Sequence, residues 1–172
     1  MRAAGLTRAL ERLFAAFFLV HVPITVLVDL QVVWPAWHPP VLKEFLKWFI
    51  TTFKDPVMLE SPVWFKSLIY CEVFFHLPFF PFAIYAFLKG DCKWIRIPAI
   101  IFAAHVTTSM VPILAHFMFH DFSGSTPVGP ETWSERLHLS AIYGLYFMFS
   151  LMLLFTMLFS PAYNLTEKRK TK

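Results

Sequence analysis

The chain is short of charge, cysteine, glycine and asparagine. Only 15% of its 172 residues are charged, against about 25% in an ordinary soluble domain. A water-soluble globule of this size has to cover itself with polar groups, so a soluble fold is excluded. The two cysteines, Cys71 and Cys92, make neither a disulfide framework nor the paired CxxC of a structural zinc site. The 5 glycines and 13 prolines form no tract dense enough for a low-complexity segment. The net charge of +4 is spread over helix ends, with no basic stripe and no nucleic-acid motif, so nucleic acid is not a partner. What is abundant is apolar: 58% hydrophobic and 19% aromatic residues, with 21 Phe and 6 Trp. Disordered chains are poor in these residues. Composition therefore predicts one polytopic, all-α membrane domain.

Four stretches approach the roughly 20 apolar residues that cross a bilayer. They run about 13–33, 63–88, 97–119 and 137–159, within one domain over 13–160. A 1–12 tail precedes them and a basic 161–172 tail follows. The first is too long for a signal-peptide core, and no small-x-small cleavage site closes it. Pro23, Pro78, Pro81 and Pro112 fall inside spans and predict kinks with room between helices. The expected fold is a four-helix transmembrane bundle with kinked helices. Ten Lys and Arg flank one side of these spans and five the other. The positive-inside bias then puts both termini in the cytosol, and the sequon at Asn164 stays unglycosylated. Between the first two spans, Leu42, Phe45, Leu46, Phe49 and Phe53 recur at helical spacing, with Lys43, Glu44 and Lys47 off that stripe. This predicts a short lumenal interfacial helix, with Trp34, Trp37, Trp48 and Trp64 at the same depth. Pro35, Pro39 and Pro40 are expected to break the first span before it.

Ionisable groups inside a span are costly and mark function. Asp29 lies near the lumenal end of the first span. Glu72 lies about two turns into the second, with His76 one turn further on the same face. Ser109, with Thr107 and Thr108, sits in the same half of the third span, and Tyr143 and Tyr146 in that of the fourth. Asp55 leads into the second span, where a capping role is also open. Carboxylates, tyrosines and hydroxyls walled by Phe and Trp suit a lipophilic cation or a sterol hydroxyl. Asp29 and Glu72, if close, are expected to share a proton and a hydrogen bond. His21, His105 and His116 read as interhelical hydrogen-bonders. No metal or cofactor is expected, because Glu72 and His76 form one half-site that no second pair repeats.

Five runs carry a resemblance: HVPITVLVDLQ (His21 to Gln31), FKDP (Phe53 to Pro56), WFKSLIYCEVFFHLPFFP (Trp64 to Pro81), YAFLKGDCKWIRIPAII (Tyr85 to Ile101) and the lysine-rich tail. Together they resemble the sigma-2 receptor branch of the family that includes the emopamil-binding sterol isomerase. The resemblance implies a four-helix bundle of the endoplasmic reticulum membrane, forming a homodimer, with further residence in nuclear envelope, lysosomal and plasma membranes. It implies an intramembrane pocket in which Asp29 pairs with a ligand's protonated amine, Asp55 supports Asp29, Glu72 is buried and protonated, and Tyr143 and Tyr146 line the wall. The implied ligands are sterols, oxysterols and cationic amphiphiles, and the implied role is cholesterol homeostasis, partly through the Niemann–Pick type C cholesterol transporter. His76 stands where relatives carry glutamine and Ser109 where they carry threonine, and the loop Gly124 to Pro130 is shortened. Lys168 and Lys170 fit the K-x-K-x-x form of a cytosolic retrieval signal.

Two activities compete. A receptor needs only the pocket. A sterol isomerase needs an acid and a base about a carbocation, roles that Glu72 and His76 would fill. The isomerase branch's fuller set of acidic, histidine and asparagine groups is not visible, and the one asparagine, Asn164, lies in the tail. The receptor is the preferred reading, and no catalytic residue is assigned.

Overall fold

The computed structural model describes residues 2–124 and 129–163. Within them the chain is helical, without a β-strand. The helices are α1 (Arg2–Leu27), α2 (Pro40–Phe53), α3 (Pro56–Glu60), α4 (Val63–Cys71), α5 (Leu77–Lys89), α6 (Arg96–Phe119) and α7 (Trp133–Phe159). Among the described residues, four stretches are long and apolar enough to cross a membrane: Gly5–Val32, Val63–Lys89, Lys93–Phe119 and Trp133–Phe159. Large apolar side chains such as Phe75, Phe82 and Leu145 point outward and exposed. That surface suits lipid and not water. The four-span expectation holds, and α2 is the amphipathic helix expected between the first two spans. Asn164, Lys168 and Lys170 lie outside the described residues, as does most of the shortened loop.

Three local departures matter for the site. First, α1 begins at Arg2, so the boundary drawn at residue 12 falls inside the helix. Second, α1 stops at Leu27, ahead of the prolines expected to break it, and Asp29–Val32 follows as a tighter 3-10 turn. Side chains take over the carbonyls freed there: Gln31 Nε2 donates to Leu27 O (2.7 Å) and His38 Nε2 lies 2.9 Å from Val26 O, while Gln31 Nε2 also reaches Leu42 O of α2 (3.2 Å). Third, α4 and α5 form one span joined by a π turn over Glu72–His76. Pro78 has no N–H to offer the carbonyl four residues back, and a widened turn just ahead of it absorbs that loss.

α1 packs along α5, and α6 along α7. Fully buried Phe18 of α1 ties the pairs together, its ring centroid 5.4 Å from Phe80, 5.3 Å from Phe102 and 6.0 Å from Phe149. Ala15, Ala83, Ala99 and Ala103, also buried, let the backbones approach. At the end of the bundle that holds the termini, Glu11 is buried. It accepts from Arg8 Nη1 (2.9 Å), Tyr163 Oη (2.9 Å) and Asp91 N (3.3 Å). Arg8 in turn caps the end of α5 through Phe87 O (3.0 Å). These polar contacts hold that end together around a polar cleft of about 480 Å³ lined by Arg8, Glu11, Asp91 and Ser160. The opposite half of the bundle is hollow.

Because Phe18 is the ring common to all four spans, Phe18→Ala is expected to destabilise the bundle by about 3–5 kcal/mol, the usual range for deleting a core phenylalanine. Thermal unfolding in detergent checks this, with Phe82→Ala, on the exposed face, as the near-neutral comparison.

Candidate functional site

The hollow half holds a cavity of about 550 Å³ that is partly open to the surface. Phe17, His21, Ile24 and Asp29 line it from the first span, Phe45 and Phe49 from α2, and Met58 from α3. Phe65, Leu68, Ile69, Glu72 and His76 line it from the second span, Ser109 and its neighbours from α6, and Tyr143, Tyr146 and Phe149 from α7. The walls are apolar and aromatic, with a few polar groups converging, the usual composition of a small-molecule site. Of the seven ligand residues expected from sequence, Asp29, Glu72, His76, Ser109, Tyr143 and Tyr146 face this one cavity.

Asp55 stands behind the wall. It is fully buried and caps α3, not the second span: one carboxylate oxygen accepts from Val57 N (3.1 Å) and Met58 N (3.0 Å). The other accepts from the Tyr143 hydroxyl at 2.6 Å. Burial pushes the Asp55 carboxyl above its ordinary value, and the Tyr143 and backbone donors pull it back only in part. Asp55 thus fixes Tyr143 of α7 and Met58 of α3 at the cavity edge. Lys54 adds an ion pair from the same corner to Glu135 at the start of α7 (2.6 Å).

The floor of the cavity joins His21, Asp29 and Glu72, whose ligand atoms lie within 4.8 Å of one another. His21 Nε2 is 3.7 Å from Glu72 Oε1, and the Thr25 hydroxyl donates to that same oxygen at 2.6 Å. The His21 ring lies nearly parallel to Tyr146, centroids 4.4 Å apart, and to Phe17 at 5.0 Å. The expected hydrogen bond between Asp29 and Glu72 is absent among the described residues; Thr25 holds Glu72 instead, and Asp29 is left with its carboxylate unpartnered by protein. His21, assigned to helix packing from sequence, is a cavity residue. Its signal was available: His21, Thr25 and Asp29 stand at i, i+4 and i+8, the spacing of one helix face, although α1 ends at Leu27 and Asp29 stands on the turn that follows.

His76 also differs from expectation. It shares the π turn with Glu72, yet its Nε2 meets His105 Nδ1 of α6 at 3.0 Å, with Ser109 Oγ 3.5 Å from the same His105 nitrogen. One N–H joins the two imidazoles, so protonating either removes the acceptor and sets two donors face to face. The charged and titratable groups around the pair are Glu72, His21 and His105 itself. Among the described residues the group of three donors that gathers is His21, Asp29 and Glu72, and His76 is not part of it.

A bundle of four membrane-spanning helices around a cavity that is polar at its floor and apolar at its walls has the architecture of a multi-pass membrane protein with a small-molecule-sized cavity. The chain belongs to the family described as EBP: EXPERA (EXPanded EBP superfamily), whose model matches residues 41–157. It is 50% identical over 166 residues to Sigma intracellular receptor 2 of Xenopus tropicalis, covering 96% of this chain and 97% of that one. It is 49% identical over 176 residues to Sigma intracellular receptor 2 of Homo sapiens, covering 100% of both. A more distant relative is Efficient mitochondria targeting-associated protein 19 of Saccharomyces cerevisiae, 26% identical over 98 residues, 51% of this chain and 61% of that one.

Proposed function

We propose that this chain is a receptor of intracellular membranes that takes cationic lipophilic amines and sterols into the cavity from the bilayer. The observation that carries the reading is Asp29: a carboxylate without a hydrogen-bond partner among the described residues, beside Glu72, facing an apolar aromatic cavity. A protonated amine supplies the missing charge, and the rings of Phe17, His21 and Tyr146 supply cation–π and apolar contact. The near-full-length relatives named as sigma intracellular receptors support a receptor over an enzyme. In this reading the protein resides in the endoplasmic reticulum as a homodimer with both termini cytosolic. It acts in cholesterol homeostasis with the Niemann–Pick type C cholesterol transporter as a partner, and Lys168 and Lys170 serve retrieval.

The test is equilibrium binding of a tritiated cationic amine and a tritiated sterol to the purified chain. Saturable binding of both, each displacing the other, is the expected result; no saturable amine binding overturns it. The family model's link to the emopamil-binding protein keeps an isomerase as the second reading, with Glu72 and His76 as acid and base. Turnover of a Δ8-sterol that disappears in Glu72→Gln would select it.

A further inference from the structure

The floor of the cavity holds a donor set that an organic cation does not need: an imidazole nitrogen with two carboxylates. We infer that His21, Asp29 and Glu72 form a binding site for a divalent transition-metal ion of the zinc type, placed so that the metal and a cationic amine exclude one another.

The geometry is close to a finished site. All three ligand atoms lie within 4.8 Å of one another, and His21 Nε2 is already 3.7 Å from Glu72 Oε1. Two bonds of about 2.1 Å at a tetrahedral angle separate donors by about 3.4 Å, so closure by at most about 1.4 Å completes the set. The supporting contacts are in place. Thr25 donates to Glu72 Oε1 at 2.6 Å, orienting one carboxylate. Near-parallel rings of Tyr146 and Phe17 hold the imidazole plane. The three residues are half-buried and line the cavity, so an ion can reach them. The Tyr146 hydroxyl beside them is buried without a hydrogen-bond partner among the described residues.

The donor set also selects the ion. Calcium and magnesium favour six or more oxygen ligands. One imidazole with two carboxylates in an apolar surround favours zinc and its first-row neighbours, and three protein ligands leave a fourth position open to solvent or ligand. The arrangement joins the first and second spans across the cavity floor, so a bound ion would also clamp them together.

The inference does not rest on the amine reading, because it is measured with no organic ligand present. Radioactive zinc is titrated into the purified full-length chain, and Co2+ serves as a spectroscopic substitute. The expected result is one zinc per chain, not displaced by Mg2+ or Ca2+. Affinity should fall at least about tenfold in each of His21→Gln, Asp29→Asn and Glu72→Gln. The stacked pair His116 and His120, ring centroids 4.6 Å apart at the C-terminal end of α6, is the competing zinc trap; replacing both with glutamine should leave the site unchanged. His21→Cys guards against a folding artefact: it should retain the metal and add a thiolate-to-cobalt charge-transfer band. Absence of stoichiometric zinc overturns the inference. So does zinc that survives His21→Gln but is lost from the His116 and His120 double variant, or a Co2+ spectrum unaltered by His21→Cys. Where amine binding is then added, displacement of the amine by zinc in the wild-type chain is expected, and simultaneous binding of both would refute the shared floor.

Discussion

Asp29→Asn should weaken cationic-amine binding by about 2–5 kcal/mol, on the order of 30- to several-thousand-fold, with little effect on the fold. The magnitude follows from where Asp29 sits. It stands on the 3-10 turn after α1, held there by Gln31 and His38 and not by any contact of its own carboxylate. Among the described residues no protein group donates to that carboxylate, so replacing it leaves no orphaned donor behind. The substitution removes charge and preserves shape. In the apolar cavity the lost attraction is poorly screened, so the effect is larger than for an exposed ion pair. Radioligand saturation checks affinity, and thermal unfolding checks the fold. A neutral sterol should lose far less affinity than an amine in the same variant. Equal losses would point to a general collapse of the cavity, and unchanged amine affinity would remove Asp29 from the site.

Much of this site was legible because charge is so scarce. Two carboxylates inside apolar runs, Asp29 and Glu72, stand out in any depth count, and both reach the cavity. The spans were legible from length alone, since each apolar run has the reach of a bilayer. The grouping of His21 with Asp29 was legible too, in the four-residue spacing of His21, Thr25 and Asp29, but a histidine at that spacing also serves helix packing, so spacing alone does not place it in the cavity. Other contacts have no local signature. His76 meets His105 across 29 positions because a π turn shifts its helix and α6 brings a second imidazole alongside. Asp55 meets Tyr143 across 88 positions. Neither spacing corresponds to any helical period, so only packing reveals them. Glu11 reads in sequence as part of a charged tail, yet α1 extends back to Arg2 and buries it against Arg8 and Tyr163.

The Asp55–Tyr143 contact is the basis of the second large effect. Asp55→Ala strips the acceptor from two backbone N–H groups and one phenol at once, all in the interior. Loss of a helix cap costs about 0.5–2 kcal/mol, and each buried donor left unsatisfied costs about 1–3 kcal/mol. The cap covers the two backbone donors and the phenol is the third, so a total of roughly 1.5–5 kcal/mol is expected, read from thermal unfolding. Binding should fall as well, because α3 carries Met58 and Asp55 orients Tyr143, both on the cavity wall. Tyr143→Phe removes one bond of the three and should cost less than half as much. Asp55→Asn keeps an oxygen for the cap and separates charge from shape. Burial raises the native Asp55 carboxyl above its unfolded value, so the native state holds this proton more tightly. The corresponding stability is fully present below the unfolded value and is lost as pH rises through the native one. Measured against Asp55→Asn at each pH, wild-type stability should thus decline from acid toward neutral pH and then level off. A difference that grows with rising pH would mean that the three donors outweigh burial at this carboxylate. Asp55 would then hold the wall of the cavity as a stabilised anion and not as a buried acid.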